Sequence, residues 1–518
     1  MFPSTNCLED ANEHRLPKVN HFFSVDISLE PTSRKRCFTS ITRQINTKSI
    51  KDVHYCENPI NAFHLLSRFV RGWSHVFDSI WCEDCDVDRY SVDFNLTRNV
   101  VEKHIGRWPS KIDMDGAANA IIRLWSFYQL DMNKLLNGQI LDTQAEPLSI
   151  DDVIYITRYA DDTKRYYEEI EWLKELLNRN DVQNNEHISI KVARFLAAAY
   201  YKYGMHSQAV EVLEAFSNSE HTGLIRDLRF YASRATDGSK DNKKALKPAA
   251  ISREDRTYMA LCRGDIMNSK KQSKLRCFNR DTRIPIYKSK EEVVNYFPRV
   301  SLFHDVIGEE HIQLLKQIGQ KLFQRSMVKS ENQVTYQEVS DNFRVSQTAW
   351  ANETANPALQ TLTRRVSLIT GLDATYKDVM SHSEMYQVLN YGVGGMYNPH
   401  RDYLGYTLLT PPNPVETIDV QGTGERTATW MFYLSDVKAG GATVFPKLKA
   451  RVPVVKGGAA FWYNMKLSGQ VDSRTLHAGC PVLLGSKWAS NKWIKESGQV
   501  LTRLCGLNID DIEILPTK

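Results

Sequence analysis

Apolar residues recur at helical spacing through the first half of the chain. Ala62, Leu65, Leu66 and Phe69 follow the three- and four-residue steps of one helix face, as do Ala117, Ile121 and Leu124, which predicts helices within Asn58 to Asn137. Neither stretch carries a reactive constellation, so residues 46–140 read as a helical scaffold or dimerisation domain. From Leu148 to Thr236 the helical period continues, and Ser149 with Asp152 is placed as a capping box ahead of an apolar-periodic run. Ala197, Tyr200, Ala209 and Leu213 match the small, aromatic and apolar spacing of one tetratricopeptide helix pair, so residues 145–236 read as a tetratricopeptide-like domain. Polar stretches flank these helices: residues 1–45 read as a tail, and residues 237–256, with Gly238, Lys243, Lys244 and Pro248, as a linker.

The period changes in the last part of the chain. Helical patterning around Gln313 to Phe323 gives way after Met385 to short runs rich in β-branched and aromatic residues. These are Val388 to Tyr391, Ala428 to Leu434, Ala442 to Phe445 and Ala459 to Tyr463, separated by Gly or Pro. Many short strands with such turns predict an all-β sandwich or barrel within residues 257–518, its core at about 385–500. The fold class expected for the whole is multidomain α+β.

Composition narrows the function classes. The 66 basic and 61 acidic residues leave a net charge of only +5, too small and dispersed for a nucleic-acid footprint. No run of about 18 apolar residues occurs, which removes a membrane-spanning helix from the reading. Met1 to Thr39 contains no uninterrupted apolar segment of the kind a secretory signal needs. Nine cysteines include Cys262 and Cys277, then Cys480 and Cys505, whose spacing allows two local disulfides in an oxidising compartment. Cys82 and Cys85 have CxxC spacing without a second pair, which favours a structural role. Asn95 and Asn352 begin glycosylation sequons.

The chemistry concentrates in the strand-rich part. His400-Arg401-Asp402, in a loop after the strand at Tyr391, is followed far downstream by His477. Two imidazoles and one carboxylate hold one face of Fe(II) and leave positions open for a bidentate cosubstrate and O2. The same His-Arg-Asp opens a protein-kinase catalytic loop, but the Asn required five residues after the Asp is Thr407 here. Lys487, within Gly485-Ser486-Lys487-Trp488, supplies a cation that would receive a distal carboxylate, and Val482-Leu483-Leu484, Trp488 and Trp493 favour burial of its stem.

A resemblance sharpens this. Asn390-Tyr391-Gly392-Val393-Gly394-Gly395, Pro399-His400, Gly440-Gly441-Ala442-Thr443-Val444-Phe445-Pro446, Phe461-Trp462-Tyr463-Asn464, His477-Ala478-Gly479-Cys480-Pro481-Val482 and Lys487-Trp488-Ala489-Ser490-Asn491-Lys492-Trp493 follow in order. Together they resemble the catalytic region of collagen-type prolyl 4-hydroxylase α subunits. Glu57-Asn58-Pro59-Ile60-Asn61-Ala62-Phe63 is similar to that family's N-terminal dimerisation segment. The resemblance implies a C-terminal double-stranded β-helix (jelly roll) that binds Fe(II) through His400, Asp402 and His477. It also implies 2-oxoglutarate on Lys487 with hydrogen bonds from Tyr391 and Thr429, and Trp493 lining the pocket. Proline in a peptide is hydroxylated as 2-oxoglutarate and O2 give succinate and CO2, with L-ascorbate as a supporting reductant. By the same resemblance Cys262 pairs with Cys277 and Cys480 with Cys505. The partner implied is protein disulfide isomerase, as β subunit of an α2β2 tetramer in the lumen of the endoplasmic reticulum. That location conflicts with the missing signal segment, so an incomplete N-terminus is expected.

Tyr200, Tyr201 and Tyr231 are candidates for an aromatic groove that takes a proline-rich, collagen-like peptide, against the plainer reading of interhelical packing. Phe195 and Ala198 stand where the family tends to have tyrosine, and Arg194 where an acidic residue is usual. Arg194 is therefore expected to recruit acidic peptides. Two further readings stay open: a non-catalytic peptide-binding or assembly subunit of the same fold, and a hydroxylase of another residue such as lysine.

Overall fold

The computed structural model describes residues 54–72, 109–216, 222–236, 246–250, 252–265, 275–326, 328–329, 336–337, 344–379, 381–403, 423–506 and 508. The 1–45 tail, the Cys82/Cys85 pair, the Asn95 sequon and most of the expected linker lie outside them. The chain divides between Ile251 and Ser252 into two compact units.

The first unit is helical. Helix α1 (Pro59–Ser67) starts where the Asn58 side chain accepts from the Ile60 amide, with proline at the first helical position. It packs on α2 (Lys111–Tyr128), which packs on α3 (Ile150–Asp162). The two helical segments distinguished in the sequence are thus joined in one unit. The Ser149 capping box is present: its hydroxyl accepts from the Asp152 amide at 3.1 Å while Asp152 accepts from the Ser149 amide. The same carboxylate takes Arg71, from the π-helical turn (Arg68–Gly72) that follows α1, at 3.1 Å, so one residue starts α3 and ties it back to the segment after α1. Then α4 (Tyr166–Leu177), α5 (Glu186–Tyr203), α6 (His206–Glu214) and α7 (Thr222–Thr236) each pack on the preceding helix. Their buried faces carry Ile170, Leu173, Val192, Leu196, Ala209 and Leu213, the periodic positions of the sequence.

The second unit begins inside the expected linker. Ser252 accepts from the Asp255 amide at 2.9 Å and caps α8 (Arg253–Arg263), so polar residues that read as linker form the exposed first turn of an amphipathic helix. Its strands are β1 (Cys277–Asp281), β2 (Lys288–Asn295), β3 (Val300–His304), β4 (Gln324–Arg325), β5 (Arg344–Val345), β6 (Gln347–Ala351), β7 (Tyr386–Tyr391) and β8 (Met396–His400). After them come β9 (Arg426–Tyr433), β10 (Ala439–Gly440), β11 (Thr443–Phe445), β12 (Ala450–Val452), β13 (Ala459–Tyr463), β14 (His477–Gly479), β15 (Val482–Leu484) and β16 (Lys487–Lys495). A nine-stranded antiparallel sheet runs β1-β2-β3-β13-β9-β16-β7-β6-β4, and a five-stranded one β12-β11-β14-β8-β5. Helices α9 (Glu309–Leu322) and α10 (Pro357–Thr370) cover one face of the large sheet through Ile312, Leu315, Leu359, Leu362 and Val366. On its other face Leu302, Met431, Tyr433 and Trp462 meet Phe445 and Val452 of the small sheet.

The strands before residue 385 extend the sheet well beyond the expected core. On β2 the pattern is masked because three of the four buried alternate residues, Ser289, Glu291 and Asn295, are polar and only Val293 is apolar. Glu291 is tolerated there because Arg280, Arg299 (2.9 Å) and the Ser301 hydroxyl (2.5 Å) all donate to it.

The cysteine pairing differs from the expected one. Cys262 is bonded to Cys480, with Cα atoms 5.5 Å apart, while Cys277 and Cys505 are free and exposed. The cause is the packing of α8 against β11 and β12, where the Tyr258 hydroxyl donates to the Gly479 carbonyl at 2.9 Å. That contact sets the end of α8 beside the residue that follows β14.

Removing the carboxylate of Glu291 takes from Arg280 and Arg299 the buried anion they share. Glu291→Ala is expected to destabilise the second unit by about 3 kcal/mol or more, and adding Arg299→Ala to recover part of it. Urea unfolding midpoints of the single and double variants measure both.

Candidate active site

Strand β8 pairs antiparallel with β14 so that His400 and His477 are direct cross-strand partners, their ring centres 4.3 Å apart. His400 therefore ends a strand of its own and does not sit in a loop. Asp402, two residues on, turns back between them: its carboxylate oxygens lie 3.8 Å from His400 Nε2 and 3.7 Å from His477 Nε2. One ligand atom from each residue lies within 4.8 Å of the others.

Local hydrogen bonds orient every member. His400 Nδ1 lies 2.7 Å from the Asn398 carbonyl and His477 Nδ1 3.1 Å from the Thr475 carbonyl. A carbonyl only accepts, so each Nδ1 carries the proton and each Nε2 lone pair is left for a metal. Burial, with His477 beside it, pushes His400 down to about 3 and keeps the ring neutral. Burial pushes Asp402 up, but His477, His400 and Arg426 outweigh it and bring the carboxyl to about 2. Two imidazoles with Nε2 free and a carboxylate fit a divalent iron.

Thr429 serves this carboxylate. Its hydroxyl donates to Asp402 Oδ2 at 2.7 Å and accepts from Asn464 Nδ2 at 2.9 Å, so it positions a metal ligand where the expectation gave it to the cosubstrate. Arg426 was not legible as a site residue. It donates to both oxygens of Glu384 (2.5 and 2.7 Å) and to the Asp402 carbonyl (3.3 Å), and stacks on the Trp493 ring at 3.6 Å. A lone Arg-Thr pair opening a strand carries no motif; only the fold brings Glu384 to it.

Lys487 opens β16 and crosses from the large sheet to the small one, where its ammonium donates to the Thr443 hydroxyl at 3.4 Å. Tyr433, which also donates to Thr443, and Tyr391 flank it with ring centres 5.5 and 5.6 Å away. It is 3% exposed and no carboxylate faces it among the described residues, so burial alone pushes it down to about 7. The buried indole N–H of Trp493 has no acceptor among the described residues. An ammonium without a counter-ion, met only by one hydroxyl, fits a small anionic ligand. Burial raises the Tyr391 phenol, with Arg344 and Ser346 beside it.

In the helical unit Tyr201 and Tyr231 meet at 5.4 Å with Phe230 against both. Tyr200, the neighbouring candidate, is buried near Lys174 and Glu171 and is not part of this cluster. Arg194 donates to Asp227 at 2.7 Å, so the charge expected to recruit acidic peptides is neutralised in place. Asn352 is exposed and accepts from the amide and hydroxyl of Thr354.

Residues 31–142 match the N-terminal region of the prolyl 4-hydroxylase alpha subunit, and residues 386–495 the 2OG-Fe(II) oxygenase superfamily. Prolyl 4-hydroxylase subunit alpha-1 of Bos taurus is 31% identical over 500 residues, covering 92% of this chain and 89% of the bovine one. This chain belongs to the prolyl 4-hydroxylase α subunits. Subunit alpha-2 of Caenorhabditis elegans is 33% identical over 470 residues, covering 88% and 83% of the two chains. A 2-oxoglutarate complex of a viral collagen prolyl hydroxylase from Paramecium Bursaria Chlorella virus-1 is similar at 24% identity and a TM-score of 0.28, covering 38% of this α subunit and 95% of the viral chain. Family membership and the match over residues 386–495 make the α subunit an Fe(II)- and 2-oxoglutarate-dependent dioxygenase.

The strain at Lys487 has a measurable sign. Its ammonium titrates near 7 in the fold against roughly 10.4 in an unfolded chain, so between those values the unfolded state binds more protons and stability rises with pH. Lys487→Met is expected to stabilise this α subunit by a few kcal/mol below about pH 7, with the gain fading to nothing above about pH 10. Denaturant unfolding across that range tests this; a Met variant less stable at the acid end would mean that Lys487 is compensated.

Proposed function

We propose that this protein hydroxylates peptidyl proline to 4-hydroxyproline, taking proline-rich, collagen-like segments as substrate. The observation that carries the reading is a ready metal triad together with a buried, unneutralised Lys487. A metal triad alone serves many reactions; the added cation selects a cosubstrate with a second carboxylate.

His400, Asp402 and His477 would hold Fe(II) through two Nε2 lone pairs and one carboxylate oxygen. Fe(II) held there with 2-oxoglutarate would activate O2, one oxygen atom ending in succinate as 2-oxoglutarate loses CO2 and the other converting a proline C–H into C–OH. The chain contributes position and shielding. The carbonyls of Asn398 and Thr475 fix both imidazoles, Thr429 fixes Asp402, and Arg426 holds the Asp402 backbone against Glu384. Lys487 receives the distal carboxylate between Tyr391 and Tyr433, and Trp493 offers its N–H to an acceptor.

The wider reading draws on family membership. The two sheets form a double-stranded β-helix, and the helical unit is tetratricopeptide-like, with Tyr201, Phe230 and Tyr231 taking the peptide. L-ascorbate supports turnover, protein disulfide isomerase is the β subunit of an α2β2 tetramer, and the site of action is the endoplasmic reticulum lumen, where Asn95 and Asn352 carry glycans.

The test is coexpression with protein disulfide isomerase and assay of a (Pro-Pro-Gly)-type peptide with Fe(II), 2-oxoglutarate and ascorbate. The expected result is one added oxygen per modified proline, matched by succinate and abolished in His477→Ala. Iron binding without peptide oxidation would overturn the substrate. Cosubstrate binding has its own pH signature: Lys487 must be protonated to meet the carboxylate. Affinity for 2-oxoglutarate is expected to be flat below about pH 7 and to fall about tenfold per unit above it, with one proton taken up on binding. Calorimetry in buffers of different ionisation enthalpy reads both.

A further inference from the structure

On the far side of the large sheet from the metal triad, α10 borders a second cavity of about 650 Å³. One face of α10 packs into the core through Leu359, Leu362 and Val366, while Gln360, Arg364, Ser367 and Leu368 line this cavity from the other. A polar stripe lining a concave space, where open solvent would suffice for it, is what a binding site requires.

The charges of the wall are unequally satisfied. Glu353, 2% exposed, is fully committed: it accepts from Lys492 (2.7 Å), from Thr363 (2.8 Å) and from the Tyr376 amide (2.9 Å). Asp373 is held by the Thr375 amide and His382. Arg283 and Arg364 also line the cavity, and neither guanidinium has a hydrogen-bond or ion-pair partner among the described residues. The Arg283 amide donates to the Leu368 carbonyl, and its guanidinium lies beside Gly371, the C-cap of α10. With Glu353 paired to Lys492, the two open guanidinium forks outweigh the single Asp373 carboxylate and leave the cavity electropositive over a buried floor.

We propose that this cavity binds a small organic oxyanion, held by Arg283 and Arg364 and covered by the hydroxyl and amide groups around them. Guanidinium forks match carboxylate and phosphate alike, and the volume lies in the range of organic ligands. The site is separate from the catalytic one and does not depend on the reaction assigned to it.

The test must first silence the catalytic cation. The full chain carrying Lys487→Met, without added iron, is titrated by calorimetry with citrate and with inorganic phosphate. Saturable binding of one equivalent is expected, weakened at least tenfold by adding Arg283→Gln and Arg364→Gln, both exposed and outside the core. Tighter citrate assigns the site to carboxylates, and tighter phosphate to phosphoryl compounds. No saturable binding of either probe in the Lys487→Met chain, or binding indifferent to the two arginines, would overturn the site.

Discussion

Antiparallel pairing of β8 with β14 puts His400 directly across from His477, and the rest of the site is organised around that register. A shift of one residue would turn one imidazole to the opposite face of the small sheet and leave Asp402 with a single neighbour. The surroundings hold the pairing from several sides. Tyr397 stacks on His400 at 3.5 Å, Trp462 meets His477 at 4.6 Å, and Tyr258 of α8 holds the Gly479 carbonyl. The Cys262–Cys480 bond then anchors the residue just beyond β14 to the same helix. Sheet and disulfide thus converge on the strand that carries the last ligand.

Strand β16 shows how one element can bear a structural and a functional cation. Lys487 and Lys492 are an odd number of residues apart, so a strand's twofold period sends them to opposite faces. Lys492 is fully buried but donates to Glu353 and to the Glu384 carbonyl, an arrangement complete without any ligand. Lys487 meets one hydroxyl and two aromatic rings. Burial without a counter-ion is a standing cost to the fold, tolerated only where something else is gained; under the proposed function that gain is a fixed positive charge for a dianionic cosubstrate.

How far the sequence revealed this depended on the kind of residue involved. The triad, Lys487 and the strands at Tyr391, Thr429 and Phe461 were legible because rare chemical types fell among strongly apolar runs. The Ser149 cap was legible because capping is local, acting over three residues. Strand β2 was not, since an inward Glu291 and Asn295 disguise the alternation that betrays a strand. Nor was the role of Arg426, whose partners Glu384 and Asp402 are set by sheet order and not by spacing. Cysteine pairing failed for the same reason: proximity along the chain favoured Cys277 and Cys505, but helix α8 crosses the small sheet and delivers Cys262 to Cys480.

The helical unit makes a related point about specificity. Arg194 taken alone implies attraction of acidic peptides, but Asp227 on the facing helix meets it at 2.7 Å beside Tyr231. The partly exposed ion pair adds little free energy and almost no net field, so it acts as a spacer between α5 and α7 more than as a charge. What remains available there is the ring surface of Tyr201, Phe230 and Tyr231, with Phe230 46% exposed. An extended, proline-rich segment presents flat apolar rings and loses little chain entropy on docking. Such a surface discriminates by shape and ring stacking, so under the proposed function peptide choice would follow the aromatic cluster and not the residue whose charge first draws attention.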